Sequence, residues 1–122
     1  MEDFMESKER ALKIAHLLDS KKGWDIQILN VGAVSNLADY FVICSAGSNV
    51  QSRSLCDEVS RKLAEEDNIL TTHTDGYQGA NWIIMDYDDV MVHIFIDETR
   101  EFYDIERLWN DAPSVPFEAT EN

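Results

Sequence analysis

The sequence predicts an α/β protein (α+β mixed) in which a small mixed β-sheet of about five strands is flanked by helices. Apolar residues recur at helical spacing near the amino terminus and again after residue 48, and short strand-like runs stand between and after these helices. The length of 122 residues fits one domain, which we place at residues 1–112. We expect residues 113–122 to form an acidic, flexible tail.

The first half of the chain predicts two helices and two strands. Residues 4–19 have the spacing of an amphipathic helix, and residues 25–31 alternate like a half-buried strand. Residues 39–46 are an almost continuous apolar run, which is typical of a central strand that is buried on both faces. Ser48 and Gln51 then have the spacing of a capping box, and the helix that they open extends to about residue 67.

The second half predicts a short strand at 69–74, a hairpin and a final helix. Strands 82–87 and 90–96 flank Asp88-Asp89, a two-residue loop that sets Trp82 opposite Phe95 and Ile84 opposite His93. Such a loop favours a positive φ. Strand alternation gives one face to the core and leaves the other amphipathic and aromatic. The core face carries Ile83, Met85, Tyr87, Val90, Val92, Ile94 and Ile96, and the other carries Trp82, Ile84, Asp86, Met91, His93 and Phe95.

The final helix is expected to begin at Thr99 and to bury one side. Thr99 is a residue type that caps helices, and Glu101 suits the positive end of the helix dipole. Phe102, Ile105 and Trp109 recur at helical spacing, so they are expected to share a face of this helix.

The net charge of −14 excludes some classes of partner. Residues 1–61 carry a net charge of −2 and residues 62–122 a net charge of −12. An acidic surface repels phosphate backbones, so direct nucleic-acid binding is not expected, and a basic partner is. No apolar run reaches the roughly 20 residues of a membrane span, and the amino terminus lacks a signal-peptide core. We therefore expect a cytoplasmic protein that does not bind membranes.

Two enzymatic interpretations remain open at this point. Asp86 and Asp88 have the spacing of paired carboxylates, which hold Mg²⁺ in nucleotidyl- and phosphotransferases, although the hairpin turn at Asp88 works against the pair. His93 is a candidate general base, but Asp86 is only its diagonal neighbour across the strands. We expect neither a cofactor nor a resident metal.

A docking surface is the non-enzymatic interpretation of residues 82–109. Large aromatic residues lie among many acids there, a combination that favours contact with a basic protein over the stacking of nucleic-acid bases. Such a surface is expected to have Trp82, His93, Phe95 and Arg100 at its centre. The residues expected to complete it are Asp86, Tyr103, Glu106 and Trp109.

Two stretches of the chain, ADYFVICSAGSNVQSRSLCDEV and NWIIMDYDDVMVHIFIDETREFYDIERLW, resemble the ribosomal silencing factor family, also called the Iojap family. The resemblance covers roughly residues 5–112. Its specific pieces are residues 39–43 with Ser48, the strand from Trp82 to Asp86, residues 92–95 and residues 100–109. Asp88 stands where that family usually has glycine.

This resemblance implies a non-enzymatic regulator of translation. Members of the family dock on a large-subunit ribosomal protein, the fourteenth in the standard naming, at the intersubunit face. They block joining of the small subunit when nutrients are short. The resemblance also implies a pared-down nucleotidyltransferase fold without that superfamily's catalytic carboxylates, and a homodimer when the protein is not bound to the ribosome.

Overall fold

A six-stranded mixed sheet forms the centre of the molecule, and the computed structural model describes residues 6–119. The strand order is β3-β4-β5-β2-β1-β6, in which β2 and β5 pair in parallel and all other neighbours are antiparallel. The α/β class with a mixed sheet is therefore confirmed, with one strand more than expected. The strands are β1 (Trp24–Leu29), β2 (Tyr40–Ala46), β3 (His73–Asp75), β4 (Trp82–Asp86), β5 (Val90–Ile96) and β6 (Ser114–Val115).

Four α-helices accompany the sheet: α1 (Ser7–Ser20), α2 (Asn49–Asp67), α3 (Asp97–Tyr103) and α4 (Ile105–Leu108). The predicted start of the first helix at residue 4 lies outside the described residues. At the start of α2, Ser48 Oγ accepts a hydrogen bond from the Gln51 amide at 3.0 Å, as predicted. Gln51 Oε1 accepts from the Gly47 amide instead of the Ser48 amide. No helix within residues 6–119 combines the length and the apolar character needed to cross a membrane.

The larger core lies between α1, α2 and one face of the sheet. Six of the seven predicted core residues of the hairpin pack there, including Ile83, Met85, Val92 and Ile94, which are fully buried, whereas Ile96 is half-buried outside this core. They meet the apolar sides of both long helices, because side chains on alternate strand positions share one face. An ion pair between Arg10 of α1 and Asp89 in the hairpin loop ties the first helix to this layer.

The opposite face of the sheet holds a smaller core that positions the candidate site. Phe41 and Ile43 of β2 and Phe95 of β5 are buried there, together with Ile105 of α4. Because β2 contributes to both cores, six of its seven residues are buried, as the apolar run 39–46 predicted.

The hairpin register is the predicted one. Trp82 pairs with Phe95, Ile84 with His93 and Asp86 with Met91. Asp88 has a φ of 71°, the positive value that the loop was expected to need. Asp86 Oδ1 accepts a hydrogen bond from the Asp88 amide at 2.8 Å, which stabilises this conformation.

The final helix differs from the prediction. It begins at Asp97, so Thr99 lies inside α3 and does not cap it. Asp104 adopts a left-handed conformation with a φ of 47°, and the chain changes direction there before α4. Phe102 consequently points to solvent, whereas Ile105 is buried. The expectation that they share one buried face was wrong.

Two further boundaries also needed correction. The strand expected at 69–74 is β3, three residues long and centred on Thr74. Part of the expected flexible tail is a strand, since Ser114 and Val115 pair with β1 as β6. Phe117 then stacks edge-on against His16 of α1 with ring centres 4.8 Å apart. The unpaired edge of β1 explains the added strand, because it offers backbone groups that need partners.

Truncating the chain after residue 112 should therefore lower its stability. The change removes the pairing of β6 with β1 and the contact of Phe117 with α1, and we expect the free energy of unfolding to fall by about 2 kcal/mol. Urea denaturation measures this, with truncation after residue 119 as the control. Equal stability of the two truncated proteins would show that β6 contributes nothing.

Candidate functional site

A row of contacting rings lies in and above the smaller core. Trp82 stacks on Phe95 with ring centres 4.8 Å apart and planes inclined by 23°. His93 lies between Trp82 and Phe41, 4.6 Å from the Phe41 ring, and Phe41 contacts Trp109 edge-on at 5.1 Å. The parallel pairing of β2 with β5 brings Phe41 beside Met91 and Ile43 beside His93, and thereby assembles the row from three strands.

The position of His93 does not suit acid–base catalysis. Its Nδ1 accepts a hydrogen bond from Trp82 Nε1 at 3.2 Å, and the ring is 4% exposed. Burial lowers the pKa of His93 from 6.5 to about 4, because the apolar surroundings disfavour the charged imidazolium. His93 is therefore neutral at physiological pH, and its Nδ1 atom holds the indole of Trp82 in place by accepting this hydrogen bond.

Arg100 is a buried cation that connects four parts of the chain. Its Nη2 and Nε donate to Glu106 Oε2 at 2.7 and 3.1 Å, and its Nη1 donates to Ser45 Oγ at 2.7 Å. Asp25 Oδ2 lies 3.7 Å from Nη2. Since Arg100 is only 6% exposed, these partners compensate a charge that water barely reaches. The guanidinium thus attaches α3 to α4 and to the strands β2 and β1.

The exposed part of this region is a cluster of three large side chains, which we call the apolar ridge: Phe102, Tyr103 and Leu108. They are 80%, 52% and 77% exposed. The left-handed turn at Asp104 places them on neighbouring helices, where they border a common depression with Arg107. Exposed apolar residues grouped in this way are typical of a protein-binding surface.

The paired carboxylates do not form a metal site in this geometry. Asp86 Oδ1 is engaged by the Asp88 amide, and the turn directs Asp88 away from the strand. Within the described residues, no group of three or more histidine, cysteine or acidic side chains is arranged to hold a metal ion. One carboxylate oxygen of Asp86 is therefore committed to the hairpin turn.

The structure divides the predicted site residues into two groups. Phe95, His93 and Arg100 are buried, so they cannot form the centre of a contact surface as hypothesised, and their role there would be to support it. Tyr103 is exposed and Trp82 is half-buried beside it, with ring centres 4.9 Å apart. The remaining predicted residues, Asp86, Glu106 and Trp109, are half-buried.

Sequence reasoning missed four residues of this region. Phe41 and Ser45 are buried at the smaller core, and the alternation within 39–46 was a signal that could have placed both on one face. Phe102 of the ridge had been assigned to the inward side of a continuous helix, and Leu108 had not been counted among the site residues. No local pattern in the sequence marks the turn between them.

The buried imidazole predicts a pH dependence of stability. The unfolded chain binds a proton near pH 6.5, whereas folded His93 binds one only near pH 4, so acidification through this window favours unfolding. Between pH 7 and pH 5 the wild type should lose about 2 kcal/mol more unfolding free energy than a His93→Gln variant, which cannot titrate but retains an acceptor for Trp82. Urea denaturation at both pH values measures this, and equal losses would contradict it.

Comparison with known proteins identifies close relatives. The family model described as "Ribosomal silencing factor during starvation" matches residues 5–122. A ribosomal silencing factor of Halalkalibacterium halodurans is 36% identical over 92% of this chain and 96% of its own length. That of Bacillus subtilis is 36% identical over 88% of this chain and 91% of its own. The chloroplast protein Iojap of Zea mays is 28% identical over 96% of this chain and 51% of its own length.

Solved structures agree with these sequence matches. A crystal structure of a Chromobacterium violaceum protein superposes with a TM-score of 0.83 at 30% identity, covering 96% of this chain and 98% of that one. One from Bacillus halodurans has a TM-score of 0.73 at 32% identity, covering 90% and 96%. These bacterial relatives are named ribosomal silencing factors, which denotes a regulatory role. This chain belongs to the ribosomal silencing factor family.

Proposed function

We propose that this protein acts in the cytoplasm by docking on the large ribosomal subunit and blocking its union with the small one, which lowers translation when nutrients are limited. The docking partner is a basic ribosomal protein, the fourteenth of the large subunit, at the intersubunit face. Membership of the silencing factor family supports the class of function. The observation that most directly supports docking is the exposed apolar ridge, which lies in the acidic half of the chain.

The ridge has the composition expected of a contact centre. Aromatic side chains usually dominate the free energy of protein interfaces, and Tyr103 has the half-buried Trp82 beneath it as a rigid support. Two acids, Glu98 of α3 and Asp104 in the turn after it, lie beside the ridge and are exposed. Their charge would speed association with a basic partner and lose effect as salt screens it.

The rigid support of the ridge favours binding over catalysis. Two groups capable of acid–base or electrostatic chemistry are committed elsewhere, since His93 holds Trp82 and Arg100 is bonded to Glu106 and Ser45. A protein that acts by steric exclusion needs only a surface of fixed shape, which these buried bonds provide. The homodimer implied by the family resemblance stays a prediction, for which light scattering over a range of concentrations is the measurement.

Replacing Leu108 of the ridge should weaken binding to large ribosomal subunits. We expect Leu108→Ala to raise the dissociation constant about tenfold, because a central apolar side chain is lost from the contact. Co-sedimentation of the purified protein with bacterial large subunits measures this.

Leu70 offers a matched control, because it is the same residue type and 74% exposed but lies outside the ridge. Leu70→Ala should leave the dissociation constant within twofold of the wild-type value. Failure of the wild type to co-sediment would contradict the proposed function. An equal effect of the two substitutions would contradict the assignment of the ridge as the docking surface.

A further inference from the structure

An open cleft lies beside the apolar ridge, between the loop that precedes β4 and helix α3. Its volume is about 580 Å³. Gly79 and Asn81 form the loop side, Glu98 and Tyr103 form the helix side, and Trp82 lies between them. Gly76 permits this arrangement, since its φ is 80° and a side chain there would overlap the carbonyl oxygen of Trp82.

The Trp82 indole in the wall of the cleft offers π surface and no free hydrogen-bond donor. The single donor of the Trp82 indole, Nε1, is bonded inward to His93. The indole stacks on Phe95 below it and contacts the Tyr103 ring at 4.9 Å. A ring fixed in this way holds its position without a ligand, and the face of such a ring attracts a cation electrostatically.

A carboxylate that lines the cleft, that of Glu98, has no partner among residues 6–119. Glu98 is exposed and forms neither a hydrogen bond nor an ion pair with any residue between 6 and 119. Among the described residues, neither lysine nor arginine lines this cleft. Arg100, the cation nearest in sequence, is buried and directed to Glu106 and Ser45. The lining of the cleft therefore carries a net negative charge and favours a positively charged ligand.

We infer that this cleft receives an arginine side chain of the basic protein on which the chain docks, an inference that rests on the proposed function. The guanidinium stacks against Trp82 and Tyr103 and donates to the Glu98 carboxylate. Arginine fits better than lysine, because its planar group both stacks on a flat ring and pairs with a carboxylate through two donors. The apolar ridge and the cleft then form one continuous docking surface, with Tyr103 common to both.

Two acids of α3 make it possible to test the effect of charge in the cleft separately from the effect of charge elsewhere on the surface. Glu98 lines the cleft, whereas Glu101, on the same helix and also exposed, does not. We expect Glu98→Gln to raise the dissociation constant for large ribosomal subunits roughly tenfold and Glu101→Gln to change it less than about twofold. A steric variant, Gly79→Leu, should also weaken binding, since Gly79 lines the cleft and has open space where its side chain would begin.

A second measurement examines the cleft without the ribosome. N-acetyl-arginine amide is titrated into the isotope-labelled protein, and the indole N–H resonance of Trp82 is followed by NMR. The arginine probe should shift this resonance in a saturable manner, and the shift should be lost in Glu98→Gln and absent with the neutral citrulline analogue. Equal shifts with both probes, or none with either, would overturn the inference.

The two measurements separate the failure of this inference from the failure of the proposed function. If the wild type binds large subunits and Glu98→Gln and Glu101→Gln weaken that binding equally, the arginine cleft is refuted and the docking function stands. If the wild type does not bind large subunits, the proposed function is refuted, and the inference about its partner is refuted with it.

Discussion

The buried guanidinium of Arg100 is the constraint on which the shape of the candidate surface depends. It bonds to Glu106 across the left-handed turn at Asp104, and it also bonds to Ser45 in the central strand. A charge with so little access to water must keep these partners, because the loss of Glu106 removes its nearest counter-ion and the loss of Ser45 leaves a buried N–H donor unpaired. The guanidinium therefore fixes where α4 lies relative to α3. That placement packs Ile105 inward and leaves Leu108 exposed beside Phe102 and Tyr103 of α3, so the ion pair between Arg100 and Glu106 helps to shape the surface offered to a partner.

The sequence predicted those parts of the fold that depend on local patterns. Alternation across 82–96 gave the correct hairpin register and separated the core face from the aromatic face. The continuous apolar run at 39–46 identified the central strand, and the Ser48 cap located the start of α2. Each of these features follows from repeat distances within one element, so no knowledge of distant contacts was needed. The resemblance of two stretches to the silencing factors gave the family, which the comparisons confirm.

The features that sequence reasoning missed arise from contacts between distant residues. Phe102, Ile105 and Trp109 fit the spacing of one helix, whereas the bonds from Arg100 to Glu106 and to Ser45 stabilise two short helices instead. Strand β6 forms because the edge of β1 is unpaired, and this edge is visible only once the sheet is assembled. Contacts between distant residues also explain why the residues of the candidate site were only partly predicted. His93, Phe95 and Arg100 looked like surface residues from their chemistry, but the neighbouring strand and α4 bury them, and the exposed role falls to Phe102 and Leu108.

Hydrogen–deuterium exchange of the protein alone and in complex with large ribosomal subunits is the most direct measurement of where docking occurs. We expect amide exchange to slow on binding in residues 76–82 and 97–108, which carry the cleft and the apolar ridge. We expect no change in α1 and α2, whose apolar sides face the larger core on the opposite face of the sheet. Slower exchange confined to α1 and α2, with residues 97–108 unchanged, would contradict docking through the ridge.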